Sequence, residues 1–230
     1  MLQSKGKKYK YYFFGFLFIL LSTVNNTELQ NSFNLNPKIK VIEVFGLHKD
    51  LNDKIKNKMA YLKDRSIYKI DENKIINNLQ EYAFIENYKV SKVYPSKLII
   101  ELIETEYLAK TILNNKKYIV GSNGKLIDIK HVRDETELPN IFGNFTSKSF
   151  IGLIEKINYA KFDYNEINNF YYFPNLRWDI EMKNNLLIKL PRNNLESSLN
   201  KINKIIKDNK FSNARIIDLR LPGQLIILNK

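Results

Sequence analysis

The stretch Tyr94-Pro95-Ser96-Lys97-Leu98-Ile99-Ile100-Glu101-Leu102-Ile103-Glu104 sets Leu98, Ile100 and Leu102 on one side of an extended chain. Ile99, Glu101 and Ile103 fall on the other side. A side-chain repeat of two marks a β-strand, here with at least one buried face. Pro95 donates no ladder hydrogen bond, so it ends the preceding strand, to which Tyr88, Val90 and Val93 belong. Upstream, Lys38 to Phe45 alternates partially, with Ile39 and Val41 on one face, and stops at Gly46 as a strand followed by a turn. Asp50 or Asn52 can cap a helix carrying Ile55, Met59 and Leu62. Asp71 can cap a second, with Ile75, Ile76, Leu79 and Ala83 on one side. The order strand, helix, helix, strand, strand fills residues 38–106, a size of about 70 residues that suits a small α/β domain.

After Glu106 the texture changes to short strands and turns. Tyr118 to Asp128 holds Asn123-Gly124 between apolar runs, the best short-range hairpin signal in the chain. Phe150, Ile151, Ile154 and Ile157 predict a short helix. Trp178, Ile180 and Met182 alternate, Lys183-Asn184-Asn185 turns the chain, and Leu186, Ile188 and Leu190 alternate back. Asn194 can cap a helix burying Leu195, Leu199, Ile202, Ile205 and Ile206. Ile217, Leu219 and Leu221 form a strand that stops at Pro222-Gly223. Leu225-Ile226-Ile227-Leu228 then closes the sequence, apolar on both faces. Such a run reads in two ways. It is a central core strand, or it is an edge strand whose free N–H and C=O groups suit strand addition by a partner. Natural edges carry charge, proline or bulges, and only Pro222 and Lys230 offer that here.

The N-terminus carries Lys5, Lys7, Lys8 and Lys10 and then runs from Tyr11 to Val24 without charge, the next charged residue being Glu28. That predicts a membrane helix over residues 11–27, with a basic cytoplasmic tail at 1–10, and the lysine bias keeps the tail inside the cell. The rival is a cleaved signal peptide, but Ser22 to Thr27 lacks an Ala-x-Ala-like cleavage pattern. Residues 28–37 are polar and without period, and read as a linker.

The 230-residue chain carries a formal net charge of +13 with 44% hydrophobic residues, enough for true cores. The lysines are spread along the chain instead of forming one stripe, so no nucleic-acid partner is expected. The absence of cysteine excludes disulfides, Cys-ligated zinc and thiol catalysis. His48 and His131 stand in unrelated contexts, so no metal site is expected. Glu104 and Glu106 share a face like a glycosidase pair, but the end of a strand at a domain junction explains them as solvated carboxylates. Gly-x-Ser-x-Gly is absent. No catalytic residue, cofactor or metal ligand is expected.

These features resemble the FtsQ/DivIB family of bacterial cell-division proteins. The resemblance rests on Ile42-Glu43-Val44-Phe45-Gly46, Tyr68-Lys69-Ile70-Asp71, Ala83 to Val90, and the Tyr94 to Glu104 stretch. Further along it rests on Gly121 to Ile127, Leu138 to Gly143, Arg177-Trp178-Asp179-Ile180, Leu190-Pro191 and Ile217-Asp218-Leu219-Arg220. Thr105 and Tyr107 depart from it, standing where the family often has Arg and Pro. The resemblance implies an α+β protein: a transmembrane helix, a POTRA domain (β-α-α-β-β, 38–106), and a β-rich domain (107–230) with an antiparallel sheet and flanking helices. It implies a non-enzymatic scaffold at the inner membrane and division septum, with its domains in the periplasm. The implied partners are small single-pass division proteins, FtsB and FtsL, and through them septal peptidoglycan synthesis. Other division proteins would meet the POTRA domain, on its second helix (Glu72 to Tyr82) or third strand. The implied partner edge is Arg220, Leu221, Gln224, Leu225, Ile226, Ile227 and Leu228, with Arg177 near the same surface and Trp178 in the core. The alternative is a POTRA-bearing envelope assembly or secretion factor.

Overall fold

The computed structural model describes residues 6–23, 36–132, 137–206, 213–221 and 223–229. Its first element is a helix, α1 (Gly6–Thr23). The charge-free part of that helix begins at Tyr11, and 13 residues at 1.5 Å each reach about 20 Å, short of a hydrocarbon core of about 30 Å. No helix among the described residues is long and apolar enough to cross a membrane. Residues 24–27 of the expected span and most of the expected linker lie outside the described residues.

A small three-stranded sheet with two helices follows: β1 (Val41–Phe45), α2 (Lys49–Lys58), α3 (Glu72–Gln80), β2 (Ile85–Val93) and β3 (Lys97–Glu104). The sheet order is β1-β3-β2, with β3 parallel to β1 and antiparallel to β2. The alternation read in β3 holds: Leu98, Ile100 and Leu102 are buried with Ile42, Ile55, Ile75 and Leu79. Gly46 turns the chain at φ +110, and a Cβ there would stand 1.9 Å from the Leu102 carbonyl oxygen, so no larger residue fits. Asp71 caps α3 as read, its carboxylate accepting from the Lys74 N–H at 3.2 Å. The cap expected on α2 is different. The helix starts one residue earlier than Asp50, and Asn52 reaches back, accepting from Leu47 N–H and donating to Leu47 C=O. Met59 and Leu62 lie past its end, yet both are buried, because a 3-10 turn continues the same face.

The rest forms one sheet of nine strands: β4 (Tyr107–Leu113), β5 (Lys116–Gly121), β6 (Leu126–Asp128), β7 (Asn140–Phe142), β8 (Ile167–Phe173), β9 (Arg177–Met182), β10 (Leu187–Lys189), β11 (Ala214–Asp218) and β12 (Ile226–Asn229). Helices α4 (Ser147–Tyr159) and α5 (Leu195–Ile206) pack on one face. The strand order is β12-β11-β10-β9-β8-β7-β4-β5-β6. The expected antiparallel sheet is in fact mixed, because β4/β7, β7/β8 and β10/β11 run parallel. The two helices explain two of these pairs: β7-α4-β8 and β10-α5-β11 are helical crossovers, the connection that parallel neighbours require. Trp178 is buried, as expected, among Phe145, Phe150, Phe170 and Tyr172. Strand β8, Ile-Asn-Asn-Phe-Tyr-Tyr-Phe, escapes a reading by period because its outer face is itself aromatic.

Candidate partner-binding edge

Strand β9 alternates, so Trp178, Ile180 and Met182 enter the core while Arg177, Asp179 and Glu181 point to the face without helices. On that face a register row crosses the sheet: Tyr171, Asp179, Lys189, Asp218 and Ile226, contributed by β8 to β12 in order. Its middle alternates in charge, acid–base–acid.

Two arginines clamp this row. Arg177 Nε donates to Asp179 Oδ1 at 3.1 Å, and its guanidinium lies 4.3 Å from the centre of the Phe173 ring. Held from two sides, the Arg177 side chain is only 16% exposed. Arg220 is held otherwise. Its Nε lies 2.9 Å from both Asp218 oxygens, its Nη2 donates to Oδ2 at 2.6 Å, and its own backbone N–H donates to Oδ1 at 3.0 Å. The Arg220 side chain stays 41% exposed. The hydrogen bonds from Arg220 hold the Asp218 carboxyl below the usual carboxylate range. Burial pushes Asp179 the other way, above that range, although Arg177 opposes the shift. Beside them the Tyr171 hydroxyl donates to Glu181 at 2.6 Å, and burial together with that carboxylate pushes it up to about 12.

The row ends at β12, which among the described residues pairs with β11 alone and is one border of the nine-stranded sheet. Leu225 to Leu228 therefore lead into and form a border strand, not a central one. Ile226 and Leu228 are 41% and 53% exposed, while Ile227 between them packs on the core. The other border, β6, is three residues long and runs straight into a 3-10 turn (Ile129–His131), a common way to blunt an edge. Pro222 and Lys230, the expected guards of β12, lie outside the described residues.

The residues anticipated at the edge thus fall into two groups. Arg220, Leu221, Gln224, Leu225, Ile226, Ile227 and Leu228 are contiguous along β12 and the turn before it, where Gln224 N–H donates to the Leu221 carbonyl. Arg177 stands three strands inward, on the same face of the sheet as the charged row. Sequence reading missed Asp179, Asp218, Lys189 and Phe173. A signal was present: Arg177-x-Asp179 and Asp218-x-Arg220 each put opposite charges two apart, on one face of a strand.

Residues 24–105 match the model of the FtsQ-type POTRA domain, and residues 111–220 match that of the C-terminal part of cell division protein FtsQ/DivIB. The chain belongs to the FtsQ/DivIB family. Among its relatives, the cell division protein FtsQ of Rickettsia bellii is 28% identical over 160 residues, which cover 69% of this chain and 60% of that protein. The FtsQ of Bradyrhizobium diazoefficiens is 23% identical over 171 residues, covering 70% of this chain and 48% of that one. The chain therefore spans about half to three fifths of these FtsQ relatives' length. The major extracytoplasmic domain of DivIB from Geobacillus stearothermophilus aligns with a TM-score of 0.34 at 14% identity, covering 45% of this chain and 92% of that one. Membership of the FtsQ/DivIB family connects the chain with cell division.

Proposed function

We propose that this FtsQ/DivIB protein is a non-enzymatic division scaffold that binds a small single-pass division protein, of the FtsB/FtsL kind, by accepting its strand alongside β12. The observation that carries this is β12 itself. Among the described residues it is paired on one side only, ends a nine-stranded sheet, and presents Ile226 and Leu228 outward. A strand added there gains a row of main-chain hydrogen bonds and two apolar neighbours at alternate positions. Arg220, anchored by Asp218 yet still exposed, lies beside that strand and favours an acidic group on the partner. Arg177 acts through Asp179 as a brace of the same face.

The domains in this reading are a POTRA domain at 38–106 and a β-domain at 107–230, with α3 and β3 of the former available to further division proteins. Helix α1 holds the chain at the inner membrane, with residues 1–10 cytoplasmic and the domains periplasmic. Support comes from its surface: Phe14, Phe16, Phe18 and Leu21 are all exposed, an apolar helix without a polar face. The lysines ahead of it can snorkel to the headgroups and lengthen its reach.

The test is Ile226→Asp in the full chain. The side chain is exposed, so folding survives while the charge meets the incoming strand. Loss of co-purified partner and of septal localisation is expected; retention of both rejects the edge.

A further inference from the structure

The hairpin β5–β6 belongs to the large sheet by pairing, yet its two faces serve different cores. Val120 and Leu126, paired in register, face α4 and the large core. Ile119 and Ile127, paired one step along, are 2% and 1% exposed and sit in the other core, with Phe84, Ile85, Leu98 and Leu102. Residue-by-residue alternation thus places one hairpin between two cores.

Polar contacts close the same seam. Both protons of the Asn123 amide are used on the POTRA unit, at 2.9 Å to the Ala83 carbonyl and 3.1 Å to that of Ile85. Lys125 Nζ donates to the carbonyl of Gln80, the last residue of α3, where the helix carries its negative end. Glu86 accepts from Thr105 Oγ at 2.7 Å and from Ser122 Oγ at 3.2 Å, pinning strand, connector and turn together. The connector is itself fixed: Thr105 is buried, and its N–H donates to the Phe84 carbonyl. A Cβ on Gly121 would meet Thr105 at 2.8 Å, so the hairpin lies against the connector as closely as a glycine allows. The ring of His131, just after β6, meets the edge of Phe84 at 5.8 Å.

We infer that the β5–β6 hairpin welds the POTRA unit to the large sheet, so that the two form one cooperative body with a fixed mutual orientation and no hinge at Thr105. A protein held on α3 or β3 and a strand held on β12 then sit at a set separation, and the scaffold acts as a rigid spacer between them.

The chain has no cysteine, so two labels can be placed without background. Asn77→Cys on α3 and Glu196→Cys on α5 are exposed helical positions; spin labels there, in the full chain in detergent, report the separation of the two bodies. A single narrow distance distribution is expected. A broad or two-peaked one overturns the weld. A second measurement is independent of the labels. In Ile127→Ala, amide exchange at Ile100 and Leu102 in the POTRA sheet and at Phe170 and Ile180 in the large sheet should quicken together, by about 30-fold or more. If the hairpin exchanges faster while Ile100 and Leu102 keep their protection, the two units open separately and the inference fails.

Discussion

Asp179 and Asp218 show how the same residue type in one row takes opposite roles. Asp218 accepts from three N–H groups of Arg220, Nε being shared between its two oxygens, and is favoured as the anion. Its stabilising contribution is therefore present above the ordinary Asp value of about 3.9 and is lost as pH falls through its lowered value. Asp179 is buried with one close partner, and the fold disfavours its anion. Its contribution is present below about 3.9 and is lost as pH rises through its raised value. Two variants separate them. Asp218→Asn should lower the urea midpoint at neutral pH, with the gap to wild type closing in acid. Asp179→Asn should be at least as stable as wild type at neutral pH and yet weaken partner capture, because Arg177 loses its carboxylate partner. A large loss of neutral-pH stability in Asp179→Asn contradicts the assignment of burial as the dominant influence there.

At the scale of elements, β3 and β9 were legible because period-two alternation gives each a buried apolar face, and the β5–β6 hairpin was legible from Asn123-Gly124 between apolar runs. The Asp71 cap was legible for a local reason, a side chain three residues from the N–H it accepts. Asp71→Ala should cost about 1 kcal/mol in chemical denaturation. What stayed hidden depends on distant partners. Strand β8 has aromatic side chains on both faces, and its parallel pairing with β7 is set by α4 packing on the sheet, which no local pattern encodes. The place of β12 was hidden too: four apolar residues suit a central strand as well as a border. Only the strand order separates the two, and it leaves Ile226 and Leu228 out of the core. Truncation measures the same division. Ile227→Ala should lower stability, whereas Ile226→Ala should stay within about 0.5 kcal/mol of wild type.

At the scale of the whole molecule, the POTRA unit meets the hairpin at one border of the nine-stranded sheet and β12 forms the other. The anchor proposed for α1 confines the sheet edge to the membrane surface, which raises the effective concentration of a partner held in the same membrane. A short strand contact then suffices where it would be too weak in free solution. Deleting residues 1–23 should leave the fold intact, since among the described residues none of the core comes from α1, but should weaken partner capture in cells by about a hundredfold or more. Strand addition on β12 is tested most directly by site-specific photocrosslinking in the native membrane. A photoreactive side chain at Ile226 or Leu228 should capture one small single-pass division protein, while the same group at Ile227, facing inward, captures far less. Equal capture from all three positions, or none at Ile226 while the partner still co-purifies, contradicts the account.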